Sequence, residues 1–219
     1  MEAQISLQDG TFVGHYTKMF REDLDWDKFA NYIRETYPQG ANCDIFACSD
    51  GSEAYSLALK LNNPRYKMHA SDFDSENIAV VQKGLISLNQ EDLPAIERHT
   101  NKKWTNFFEQ VTSDFKVKDN LKDVVEFSIC DIGKDLNHYN FANNVVCMVR
   151  NVWYHFNTDE KVRILGEFYK KLPKGASFVI GEQEELNAPK SFSILVSRFL
   201  TPVSEFQNRY GCIYLKNKF

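Results

Sequence analysis

Asp44-Ile-Phe-Ala-Cys48 leads into Ser49-Asp-Gly-Ser-Glu53 and then Ala54-Tyr-Ser-Leu-Ala-Leu-Lys-Leu61, and the order of these three pieces decides the fold. The first is a short apolar run without alternation, the pattern of a strand buried on both faces of a parallel sheet. The last carries Ala54, Leu57, Ala58 and Leu61 on one helical face, and Pro64 closes it. Between them lies a tight turn. Gly51 lets backbone approach a ligand closely there, and Glu53 stands at the start of the helix. The unit is strand, turn, helix.

The same grammar extends in both directions. Upstream, Leu24, Trp26, Phe29, Ala30 and Ile33 fall at helical spacing until Tyr37-Pro-Gln-Gly40 ends the run. Downstream, Tyr66–Ser71 reads as a second strand that ends in Asp72-Phe-Asp74, after which Ser75 caps a helix containing Ile78, Val81 and Leu85. A long polar middle follows, from about Asn89 to Asp123. Val124–Cys130 and Asn144–Val149 then read as strands, rich in branched apolar residues. Asn157-Thr-Asp-Glu160 has capping-box spacing and opens a helix through Ile164, Leu165, Phe168 and Leu172, stopped by Pro173. Ser177–Ile180 supplies a further strand, and Val203–Phe206 and Cys212–Leu215 are candidates for an antiparallel edge. Strands alternating with helices imply a right-handed, doubly wound α/β sheet whose ligands sit at the carboxyl ends of its strands.

Composition narrows the function. The 219 residues form one domain by size, and 43% hydrophobic with 26% charged residues is ordinary for a globular protein. Nothing offers the roughly 20 uninterrupted apolar residues of a membrane helix, and the first ten residues carry no basic or apolar leader, so membrane insertion is not expected and the cytoplasm is. A net charge of -4 without a basic stripe argues against nucleic acid as a partner. Cys43, Cys48, Cys130, Cys147 and Cys212 are odd in number and contain no Cys-x-x-Cys pair, which points to reduced core thiols. The five histidines lack ligand spacing, so no metal is expected.

Asp72 at the end of the second strand is placed to bind both hydroxyls of a ribose, although a carboxylate there also serves simply as a helix cap. The first turn is neither Gly-x-Gly-x-x-Gly nor a phosphate loop ending in Gly-Lys-Ser/Thr. An adenosine ligand without phosphates, held by carboxylates, fits better than a dinucleotide or ATP.

Several segments, taken in order, resemble the chemotaxis-receptor (CheR-type) methyltransferases. His15-Tyr-Thr-Lys-Met-Phe-Arg21 is similar to their Asn-x-Thr-x-Phe-Phe-Arg, and Ala47-Cys-Ser-Asp-Gly-Ser-Glu-Ala-Tyr-Ser56 to their Ala/Gly-Cys-Ser-Thr-Gly-Glu-Glu-Pro-Tyr-Ser. Ala70-Ser-Asp-Phe-Asp74 is similar to Ala-Thr-Asp-Ile-Asp, with a family-like Lys83-Gly-Leu85 following. Val125-Glu-Phe-Ser128, Arg150-Asn-Val152 and the turn at Lys174-Gly175 complete the series, which spans about residues 15 to 185. The resemblance implies a class I, Rossmann-like fold dependent on S-adenosyl-L-methionine (SAM), with S-adenosylhomocysteine as product. The implied cofactor site is Thr17, Arg21, Ala47, Glu53, Asp72, Asp131, Ile132, Val149 and Arg150, with Asp72 on the ribose, Arg21 near the reacting end and Asp131-Ile132 beside the adenine. It also implies that Arg21, Tyr154 and His155 face the reaction. One domain over residues 1–219 is expected, with a small inserted β-subdomain at about 104–124, where Phe107–Val111 and Phe115–Lys118 are candidates to contact a protein partner.

This chain departs from the family pattern where the chemistry lies. His15 replaces asparagine, Met19 phenylalanine, Ser52 glutamate and Asp131 asparagine. His155 takes the place of a tyrosine near the methyl group, with Tyr154 one residue early. About 14 residues precede the first motif, so the family's receptor-reading helical domain is expected to be absent. Three readings stay open: methyl transfer to a protein carboxylate, a related enzyme retargeted to a small molecule or another nucleophile, and a non-catalytic SAM-binding module in a signalling complex.

Overall fold

The computed structural model describes residues 4–6, 12–14, 17–181, 191–206 and 212–216. In chain order its elements begin with β1 (Gln4–Ser6), β2 (Phe12–Gly14), α1 (Trp26–Thr36), β3 (Asn42–Phe46), α2 (Ser52–Leu61), β4 (Lys67–Asp72) and α3 (Ser75–Gln82). The middle of the chain adds β5 (Leu85–Ile86), α4 (Asp92–Thr100), β6 (Phe108–Val111), β7 (Asp114–Val117), α5 (Asp119–Lys122) and β8 (Val125–Ile129). The remainder supplies β9 (Val145–Val149), α6 (Thr158–Lys171), β10 (Ser177–Ile180), α7 (Ser191–Ser197), β11 (Thr201–Pro202) and β12 (Cys212–Leu215).

Seven strands form the main sheet in the order β11-β12-β10-β9-β3-β4-β8. From β8 to β10 the pairings are parallel, while β12 lies antiparallel to both β10 and β11. The expected doubly wound sheet with an antiparallel edge is therefore present. Its winding reverses between β3 and β9, the position where open α/β sheets bind ligands beyond the carboxyl ends of their strands. β9 is buried at every residue, as its unbroken Val-Val-Cys-Met-Val requires. Alternate residues of β3 and β9 feed opposite cores. Cys43, Ile45, Val146 and Met148 meet Phe29, Ile33 and Leu57 of α1 and α2. Phe46, Val145, Cys147 and Val149 meet Ile164, Phe168 and Phe192 of α6 and α7.

The helix boundaries follow local chemistry. The Asp25 carboxylate accepts from Lys28 N–H and starts α1, and the reciprocal box between Asn157 and Glu160 starts α6 as its spacing predicts. Asp74, rather than Ser75, caps α3 by accepting from the N–H groups of Glu76 and Asn77. That helix also stops earlier than its apolar spacing suggests. It ends at Gln82, Gly84 takes a left-handed φ of 77°, and Leu85 pairs with Lys116 in a second, three-stranded sheet of order β5-β7-β6. The polar middle is thus structured, with α4 and the β6 and β7 strands of this small sheet inside it.

Val203–Phe206 is not a strand. The ladder with β12 uses Thr201 and Pro202, and Ser204–Phe206 curls into a 3₁₀ turn that sends Phe206 against Tyr32, with ring centroids 5.2 Å apart. Pro202 lacks an N–H, which suits an edge position and not a longer run. Cys43, Cys48, Cys130 and Cys147 are buried free thiols. Among the described residues no helix is long and apolar enough to cross a membrane.

Candidate functional site

Beyond Phe46 the chain turns through Ala47, Ser49 and Gly51, with φ of 55°, 51° and 81°. Left-handed backbone costs an L-residue with a side chain roughly 1–2 kcal/mol, so this turn needs outside support. Asp72, at the end of β4, supplies it: one carboxylate oxygen accepts from Ser49 N–H at 2.8 Å and the other from Asp74 N–H at 3.0 Å. Asp50 adds a second brace, accepting from Ser52 N–H at 2.9 Å and from the Thr17 hydroxyl at 2.7 Å. Thr17, Ala47 and Asp72 are thereby brought together.

Packing within the fold also requires Gly51. A Cβ at this position would lie 2.9 Å from Cε1 and Cζ of Phe127 on β8, and the positive φ disfavours one anyway. The glycine lets the turn fit under the neighbouring strand's ring.

Arg150 follows β9 directly, and its side chain is fully buried. Nη1 donates to Glu53 at 2.5 Å and Nη2 to Asp23 at 2.7 Å, while Arg21 Nε lies 3.7 Å from the other oxygen of Asp23. The result is one chain of alternating charge, Glu53–Arg150–Asp23–Arg21. Burial pushes the Glu53 carboxyl above the ordinary glutamate range, and the Arg150 guanidinium opposes that shift. Trp26 holds the assembly from below: its Nε1–H donates to the Arg21 carbonyl at 3.0 Å, and its ring lies 6.0 Å from the Arg150 guanidinium carbon. Arg150 neither sits at a sheet edge nor faces solvent, and Arg21 pairs with Asp23 inside the site.

The outer residues of the expected site fall at the same end of the sheet. Cys130 N–H donates to the Asp72 carbonyl at 2.9 Å, which lays the following residues beside β4. There the Asp131 carboxylate accepts from Gly133 N–H at 2.8 Å and meets Lys134 at 2.9 Å. Ile132 and Val149 are buried in the core between the sheet and α6. After Arg150, Asn151 is left-handed with φ 58°, and the buried Trp153 donates from its indole N–H to the Val149 carbonyl at 2.8 Å. This anchor leaves Tyr154 and His155 exposed, ring centroids 4.1 Å apart. His15 lies outside the described residues.

Two residues escaped the sequence reading. Asp23 sits in the run Arg21-Glu-Asp23, which reads as solvated charge, yet its side chain is only 9% exposed and joins two arginines. Phe73 is 46% exposed immediately beyond Asp72, and Ile129 is 61% exposed at the end of the adjacent β8. An aromatic residue directly after a strand-end carboxylate was the available signal for Phe73.

The donor set suits a cationic adenosine compound. Two carboxylates, Asp23 and Glu53, pair with the guanidinium groups of Arg21 and Arg150, while two more, Asp50 and Asp72, accept from the backbone of the turn. A flat apolar face, Phe73, stands next to the carboxylate best placed for a ribose. Strand order and switch point together define a Rossmann-like fold of the class I methyltransferase type. A TehB-like SAM-dependent methyltransferase from Corynebacterium glutamicum shares this fold, with a TM-score of 0.50 and 13% identity over 87% of this chain and 86% of that one. So does the bifunctional kinase-methyltransferase WbdD, at a TM-score of 0.50 and 15% identity over 89% of this chain and 40% of that one.

Residues 15–199 match the CheR methyltransferase SAM-binding domain; the chain belongs to that family, and its cofactor is SAM. A chemotaxis protein methyltransferase of Listeria monocytogenes is 26% identical over 156 residues, covering 68% of this chain and 55% of that protein. A putative methyltransferase, Cher3, of Pseudomonas putida is 24% identical over 164 residues, covering 71% and 57%. The chain thus spans a little over half the length of these relatives.

Proposed function

We propose that this domain transfers the methyl group of SAM to a carboxylate on a protein. The observation that carries the reading is the charge chain Glu53–Arg150–Asp23–Arg21, which ends in a guanidinium group on the same rim as the exposed pair Tyr154 and His155. In this reading Asp72 holds the ribose hydroxyls, with two backbone N–H groups aiming its carboxylate. Phe73 covers one face of the adenine, and the loop of Asp131 and Ile132 borders it. Thr17 and Arg21 stand at the reacting end. Bound there, SAM supplies an electrophilic methyl on a sulfonium, whose departure leaves the neutral thioether of S-adenosylhomocysteine.

The residues have little proton chemistry to perform. A glutamate with an ordinary pKa of about 4.3 is ionised at neutral pH, so its oxygen attacks without a general base. Arg21 steers that carboxylate, and Tyr154 or His155 donates a hydrogen bond to orient it. Fixed charges held before the reaction need no reorganisation as the sulfonium charge disappears. The family match and the relative described as a chemotaxis protein methyltransferase support a protein acceptor, and the resemblance to CheR-type enzymes supports a carboxylate on it.

Incubation with methyl-labelled SAM and cell lysate tests the acceptor. Base-labile label on protein is expected, because carboxyl methyl esters hydrolyse readily. Label confined to small molecules would refute the protein acceptor, and calorimetry showing neither SAM nor S-adenosylhomocysteine bound would remove the methyltransferase reading altogether.

A further inference from the structure

Arg21 rides on an irregular segment whose backbone is held from outside. Met19 N–H donates to Asp92 Oδ1 at 2.8 Å, and Phe20 N–H donates to Ser56 Oγ at 2.8 Å. Met19 and Phe20 are 0% and 1% exposed, so without these acceptors two buried amides would lose their partners. Phe20 also adopts φ 49°, an unfavourable left-handed conformation for a bulky aromatic residue. Its ring lies flat against His99 of α4, at 4.4 Å and 19°, and edge-on to Trp26 at 5.6 Å.

Both acceptors are themselves fixed. Asp92 is the first residue of α4 and is fully buried, and its second oxygen accepts from Asn89 N–H at 2.6 Å. The Ser56 hydroxyl donates to the Ser52 carbonyl at 2.7 Å, one turn back in α2, which leaves its oxygen to accept from Phe20. A salt bridge between Lys18 and Glu91, at 2.8 Å, joins the same two segments nearer the surface. Neither Asp92 nor Ser56 belongs to the charge chain or to the set of residues that would touch the cofactor.

We propose that Asp92 and Ser56 are positioning residues for Arg21: by accepting from Met19 and Phe20 they fix the left-handed turn that presents the Arg21 guanidinium to the rim. The inference rests on the reading of that rim as the SAM site. It makes α4, which lies in the chain between β5 and β6 of the small sheet, a structural support of the reacting end of the site.

The test compares two ligands by calorimetry, SAM and 5′-methylthioadenosine. The second keeps the adenosine that Asp72 would hold and lacks the sulfonium charge and the amino-acid arm. Asp92→Ala is expected to weaken SAM by about tenfold or more and 5′-methylthioadenosine by less than about twofold, because a displaced Arg21 loop affects the reacting end alone. Asp92→Asn, which keeps an acceptor oxygen for Met19 N–H, recovers most of the SAM affinity. Equal losses for both ligands would mean a general structural role and overturn the inference, as would unchanged SAM affinity. Should Asp92→Ala not fold, Ser56→Ala carries the same comparison with the same criteria. Wild-type protein that binds neither ligand would instead refute the cofactor site itself.

Discussion

Strands β9 and β10 bury polar groups at both ends, with opposite chemistry. At the amino ends the Tyr37 hydroxyl lies 2.9 Å from Ser177 Oγ, 2.9 Å from the Gly175 carbonyl and 3.1 Å from the Val145 carbonyl. Ser177 N–H donates back to the same phenol oxygen at 2.9 Å, and Tyr32 reaches Ser177 Oγ at 2.9 Å. Every member of that cluster is neutral, and burial pushes the Tyr37 pKa up to about 12. At the carboxyl end, Arg150 is as deeply buried but sits in a chain of four charged residues. A neutral network satisfies strand ends at little electrostatic cost, whereas buried ion pairs are often no better for stability than apolar replacements. The neutral end is accounted for by folding alone, and the charged end is the one that the proposed function assigns to SAM.

The sharpest way to break this contrast is Asp72→Ala, which is expected to weaken SAM and S-adenosylhomocysteine by more than about a hundredfold, as the loss of charge-assisted hydrogen bonds implies. Calorimetry showing wild-type affinity would remove Asp72 from the site. Next comes Asp44, a buried carboxylate in the middle of β3, far from any role at the rim. Burial raises its pKa from an ordinary 3.8 to about 6, against the opposing effects of His69 and a hydrogen bond from Tyr139. The fold therefore favours the neutral form, so the contribution of Asp44 is present below about pH 3.8 and is lost as pH climbs through about 6. Asp44→Asn should stabilise the protein by about 2–3 kcal/mol at pH 7 relative to its effect at pH 4. Urea midpoints at the two pH values that shift equally would contradict this.

Tyr37→Phe probes the neutral end: unfolding free energy should fall by about 1–3 kcal/mol while SAM affinity stays within about twofold. A large affinity loss would show that the two ends are coupled and not separate. The smallest expected effect on binding is that of His155→Phe, which should leave SAM affinity unchanged and alter only the rate of methyl transfer. A changed affinity would place His155 on the cofactor instead of the acceptor.

What the sequence made legible is what short segments encode. The α6 box, the buried strand at Val145 and the start of α2 depend on neighbours in sequence and lie where the patterns put them, while the strand read as Asp44–Cys48 is Asn42–Phe46, because Ala47 turns left-handed and takes Cys48 out of the sheet. The strand-end placement of Asp72 was legible from its own segment, and Arg150 was singled out through family resemblance. Asp23 was not, because its partner Arg150 is 127 positions away and its own surroundings read as a solvated run. Leu85 and Val203–Phe206 misled for a related reason: the apolar pattern fits more than one element, and Gly84 and Pro202 settle the choice through backbone geometry. The packing demand on Gly51 is not legible locally, because Phe127 reaches it from a strand more than seventy positions downstream.

That last contact offers a spectroscopic handle. The Gly51 Hα that occupies the direction of a missing Cβ points at the Phe127 ring, whose circulating electrons displace its resonance from the random-coil position. One proton thus reports the shape of the turn between β3 and α2, without any label at the residues that would meet SAM.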